Sequence, residues 1–100
     1  KNIRVKIHYK HLKQLIMQNF MLNITLQGLE TETRMQLLPQ EQAVVKELEA
    51  KGIILHTFIK QDMSGVFMVC SAENEAILHK QLALLPYYPY MKIELSNLRA

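Results

Sequence analysis

Residues 53–71 read IILHTFIKQDMSGVFMVCS, and this stretch decides the fold. Ile53 to Ile59 reads as a strand, apolar but for His56 and Thr57, and Gln61-Asp62-Met63-Ser64-Gly65 has the composition of a turn. Val66 to Cys70 is then apolar again. Two short β-rich runs joined this way predict a hairpin. Val66, Phe67, Met68 and Val69 follow one another without a polar break. A strand with one wet face alternates, so this run predicts a strand dry on both faces. One face would meet helices, and the other a second copy of the chain.

Upstream, Leu22, Ile24 and Leu26 alternate with Asn23, Thr25 and Gln27 as a strand that ends at Gly28. A helix is expected over about 33–51, with Gly52 as its stop. Pro39 stands either in its first turn or within a longer, kinked helix. Downstream, Ser71 is expected to cap a second helix with Glu73 and Glu75 in its first turn, where carboxylates are favoured. Ile77, Leu78, Leu82 and Leu85 line its apolar side, and Pro86 and Pro89 forbid its continuation. Met91, Ile93 and Leu95 then alternate with polar residues as a last strand. The expected fold is α+β: ferredoxin-like βαββαβ, a four-stranded antiparallel sheet with both helices on one face.

The first twenty residues hold Lys1, Arg4, Lys6, Lys10 and Lys13 and no acid. Residues 3–9 alternate like a strand, and Leu12, Leu15, Ile16 and Phe20 share a helical face. The division expected is a basic N-terminal extension over 1–20 and a compact domain over 21–100. The net charge of +3 belongs to that extension, so the basic balance does not point to nucleic acid. Cys70 is the only cysteine, which rules out an intrachain disulfide and suits a reducing compartment. No run approaches the ~20 apolar residues of a membrane span. A soluble, cytoplasmic protein with neither nucleic acid nor membrane as partner is expected.

Leu85-Pro86-Tyr87-Tyr88-Pro89-Tyr90-Met91, followed by Lys92-Ile93-Glu94-Leu95, resembles the muconolactone isomerase-like family, which carries a Leu-Pro-x-x-Pro-Tyr-Met stretch before its final strand. Leu38-Pro39-Gln40-Glu41-Gln42-Ala43, running on to Glu47-Leu48 and Gly52, is similar to that family's first helix. The turn Asp62-Met63-Ser64-Gly65 is a weaker match. The resemblance implies a dimeric α+β barrel, often assembled further. It also implies an isomerase that moves a double bond in a small lactone from aromatic degradation, without a cofactor. Where that family carries Trp-Arg in its second strand, this chain has His56-Thr57-Phe58-Ile59-Lys60. Lys60 would then be the cation for a substrate carboxylate.

Glu41 is the leading catalytic candidate. Leu37, Leu38, Val44, Val45 and Leu48 surround it at helical spacing, which puts a carboxylate on an apolar side where burial raises its pKa. The plainer role is a carboxylate that complements the helix dipole. His56, in phase with Ile54 and Phe58, is the second acid–base candidate, with a hydrogen-bonded core histidine as the plainer role. Tyr87, Tyr88 and Tyr90 form a cluster suited to a pocket rim, or to packing a corner and a subunit contact, with Tyr88 and Tyr90 as the substrate-binding candidates. The four histidines and Cys70 show no metal-ligand spacing, so no metal site is expected. Two functions compete: a proton-shifting isomerase, and a non-catalytic oligomeric ligand-binding or scaffold protein.

Overall fold

The computed structural model describes residues 16–99. The strand expected over 3–9 and residues 11–15 of the helix expected over 11–20 lie outside them. The elements are β1 (Gln18–Leu26), α1 (Thr31–Ala50), β2 (Ile54–Ile59), β3 (Gly65–Ala72), α2 (Glu75–Leu82), a single 3-10 turn at Tyr88–Tyr90 and β4 (Met91–Leu98). The strands form one sheet in the order β2-β3-β1-β4. Every neighbouring pair is antiparallel. This is the ferredoxin-like arrangement expected from the order of the elements.

β1 begins at Gln18, ahead of the domain boundary expected at Met21. Phe20 is therefore a strand residue, not part of a leader helix, and it is fully buried opposite Cys70. With Leu22 and Ile24 it makes the helix-side face of β1. Met68, Cys70 and Ala72 are the matching residues of β3. Leu48 from α1, Leu78 and Leu82 from α2, and Leu85 close the core above them. Each such side chain contributes roughly 1.5–3 kcal/mol by leaving water.

Gly52 ends α1 with φ 75°, a conformation that costs glycine nothing. The N–H of Ile53 then returns to the carbonyl of Leu48, which satisfies one open carbonyl of the last turn. Pro39 lies inside α1, so the helix runs through it from Thr31, and the carbonyl of Met35 loses its usual donor. Asn74, not Ser71, caps α2: its side chain accepts from the N–H of Ile77. β3 runs on to Ala72 because Gln18 pairs with it, and Ser71 is spent in the strand.

A β-bulge between Ile54 and His56 sets the phase of β2. Leu55 is the extra residue. Ile54 faces the core opposite Cys70, whereas His56 pairs with Val69 on the other face. Thr57, opposite Met68, is turned to the helix side. That choice of face determines which residues of β2 can meet α1.

Candidate functional site: the cavity beneath the first helix

The two ends of α1 behave differently. Val44, Val45 and Leu48 pack on the core, while Met35 and Leu38 nearer the start remain largely exposed. Small residues, Gly65 and Thr57, floor the sheet below that first half. The result is a cavity of about 330 Å³ between α1, the sheet and Tyr87. Its sheet wall is apolar, with Ile24, Val66 and Met68 among its residues. Its polar side chains include Arg34, Glu41, Gln42 and Thr57.

Glu41 is the buried charged residue of the described chain, 7% exposed, and it borders the cavity. Its Oε1 accepts the backbone N–H of Tyr87 at 2.8 Å. Burial raises its pKa above the ordinary 4.5, and the Tyr87 hydrogen bond offsets part of that rise. Oε2 takes no part in that bond. A carboxylate with a raised pKa is a stronger base once ionised and a usable acid once protonated.

Tyr87 is the brace of the site. Beyond its N–H bond to Glu41, its phenol donates to the carbonyl of Arg34 at 2.7 Å. Burial raises the phenol's pKa, and the nearby Glu41 charge adds to the rise. The hydroxyl therefore stays protonated and keeps donating. Arg34 stands two helical turns before Glu41, on the same side of α1. Its Nη2 donates a long bond, 3.4 Å, to the carbonyl of Met63 in the β2–β3 turn. Met63 takes a left-handed φ of 63° there, which is uncommon outside glycine.

Of the residues expected at a site, only Glu41 lines the cavity. His56 is exposed on the opposite face of the sheet, stacked on Phe58 with ring centroids 6.1 Å apart. Lys60 is on that face too: its Nζ donates to Thr25 Oγ1 at 3.3 Å and sits 5.1 Å from the centre of the Phe67 ring. The structure therefore does not bring His56 or Lys60 to Glu41. The unbulged strand phase puts His56 inside, and the extra residue Leu55 reverses it. Tyr88 hydrogen-bonds His79 Nδ1 at 2.9 Å, and Tyr90 donates its N–H to the carbonyl of Tyr87. Neither lines the cavity; their neighbour Tyr87 does.

The cation of the cavity is Arg34, which sequence reasoning passed over by searching the second strand. Helical spacing from Glu41 is the signal that finds it. Cys70 is fully buried and its thiol is pushed up to about 12 by that burial, so it is an inert core residue. Among the described residues no helix is long and apolar enough to cross a membrane.

A family model described as muconolactone delta-isomerase matches residues 18–100, a span that begins where β1 begins. No curated protein matches the chain.

Proposed function

Because this chain belongs to the muconolactone delta-isomerase family, we propose that it is an isomerase that moves a proton between two carbons of a small unsaturated lactone in the cavity beneath α1. One observation carries this reading: the buried carboxylate of Glu41 borders a largely apolar cavity that also holds one arginine. Glu41 takes a proton from one carbon as the double bond shifts, then returns it to another. Atoms and charge balance with a single group, so no cofactor is required. Tyr87 positions Glu41 through its backbone N–H. Arg34 takes the role first given to Lys60, that of anchoring a carboxylate on the substrate. Tyr88 and Tyr90 support the corner that carries Tyr87. A cytoplasmic setting accompanies this reading.

The test is deuterium incorporation from heavy water into an enolisable γ-lactone, followed by NMR. Glu41→Gln is expected to lower the rate by about 10²–10⁴-fold, the usual range for a general base, with the fold intact. His56→Ala is expected to leave the rate near wild type. Unchanged exchange in Glu41→Gln would dismiss the assignment.

The separation of His56 from Glu41 favours a second reading, a ligand-binding protein without turnover, because it leaves Glu41 without a histidine as proton partner. Tight lactone binding without any exchange in the wild type would establish it.

The open face of the sheet carries Met21, Phe58, Phe67 and Val69, with Phe58 57% and Phe67 39% exposed. We propose that two copies pair through this face as a homodimer, which places His56 and Lys60 in the subunit contact.

A further inference from the structure

Thr57 Oγ1 is buried and has no hydrogen-bond partner among the described residues. Folded proteins pair the great majority of buried polar groups, so an orphan hydroxyl calls for a physical account. Its position supplies one. Of the strand residues that line the cavity, Thr57 alone has a polar side chain. The other orphan atoms, Asn23 Oδ1 and Gln81 Oε1, belong to residues that do not line it. Thr57 stands on the sheet wall, and Glu41 on the helix wall, of one space. The bulge at Leu55 is what turns Thr57 to this side.

We propose that Thr57 is a ligand-binding residue whose hydroxyl donates a hydrogen bond to the carbonyl oxygen of the bound molecule. A threonine hydroxyl both donates and accepts, and because Oγ1 is itself closed to solvent, one χ1 step is what turns it toward a bound molecule. Carbonyl oxygen is the acceptor that matches a carboxylate base on the facing wall. When Glu41 removes a proton from the γ-carbon of an α,β-unsaturated lactone, the C–H electron pair is conjugated through the double bond into the carbonyl and the oxygen gains negative charge. A donor aimed at that oxygen is then worth more than in the ground state. The proton on Glu41 returns to the carbon next to the carbonyl as the electrons shift back, so the double bond moves and nothing is consumed. The substrate class follows: an enolisable carbonyl compound with an apolar body and an anionic end within reach of Arg34. The catalytic part of this inference rests on the isomerase reading, and the hydrogen bond itself does not.

The experiment uses the full chain and 2(5H)-furanone labelled with carbon-13 at the carbonyl. Infrared difference spectra read the carbonyl stretch of the bound lactone in wild type, Thr57→Val and Thr57→Ser. The expected result is a bound band shifted to lower frequency in wild type, lost in Thr57→Val and retained in Thr57→Ser. Thr57→Val should melt at or above the wild-type temperature, because it removes an orphan hydroxyl at constant shape. It should also lower deuterium exchange by about 10²-fold, as loss of an oxyanion donor does. A band shift that survives in Thr57→Val, a failure of wild type to bind the lactone at saturating concentration, or a marked fall in melting temperature would each overturn the proposal. If exchange is absent in wild type but the band behaves as expected, the hydrogen bond stands and the isomerase reading fails. If Glu41→Gln alone stops exchange while Thr57→Val changes neither band nor rate, the isomerase reading stands and Thr57 falls.

Discussion

The backbone N–H of Tyr87 donates to Oε1 of Glu41 at 2.8 Å, joining two residues 46 positions apart in the chain. The bond links the corner after α2 to the middle of α1 and fixes the carboxylate at the cavity wall. Because the donor is main chain, no substitution of Tyr87 other than proline removes it directly. The side chain has its own task, since its hydroxyl holds the carbonyl of Arg34.

Tyr87→Phe removes that second bond and leaves the first in place. The expected cost is about 1 kcal/mol, the net worth of a typical hydrogen bond, read by urea denaturation. The pKa of Glu41, followed by NMR, should remain above the ordinary carboxylate value. A drop to that value would mean that Tyr87 does more than brace the helix.

Glu41 also governs how stability varies with pH. Its pKa is raised in the folded protein, chiefly by burial. The native state holds that proton more tightly than the unfolded chain does. Its contribution to stability is therefore fullest below the ordinary pKa of 4.5 and is lost as pH rises through the raised value. Melting temperatures taken from about pH 4 to about pH 8 should show this fall in wild type. Glu41→Gln, whose amide oxygen can still accept from Tyr87, should flatten it. Equal slopes in the two proteins would contradict the assignment of the burial effect to Glu41.

Gly65 opens β3 and lies buried opposite Thr25, at the floor of the cavity. A Cβ there would fall inside the contact distance of the Ile24 carbonyl oxygen, which is backbone and cannot swing away. Gly65→Ala should cost about 3 kcal/mol or more, as forced overpacking does, and should narrow the cavity. Chemical denaturation reads the first effect and lactone binding the second.

The open face predicts an assembly phenotype separate from the chemistry. Phe67→Glu places a charge among Phe58, Val69 and Met21. Sedimentation should show a homodimer in wild type and a monomer in the variant at low micromolar concentration. A wild type that sediments as a stable monomer would remove the dimer proposal without touching the cavity.

Much of the fold is legible in the residues. Alternation in β1 and β4, the turn at Asp62–Gly65, Gly52 and the two prolines after α2 act locally, and each element forms where its own pattern places it. Features that depend on distant partners are not. The polar pair Gln18 and Asn19 joins β1 only because Ala72 and Ser71 lie opposite, and that same pairing takes Ser71 out of the cap. Glu41 is legible because a carboxylate on an apolar helical stripe stands out. His56 and Thr57 exchange faces at the Leu55 bulge, and an apolar residue there looks alike with or without one. Arg34 is hidden because its aliphatic stem and charged head suit either a wet or a cavity-facing position.

The position of a bound lactone tests the central claim most directly. A crystal structure of the protein soaked with 2(5H)-furanone should place the ring between α1 and the sheet, in contact with Glu41 and on the Thr57 side of β2. Density for the ligand on the opposite face, beside His56 and Lys60, with the cavity unfilled, would contradict the account.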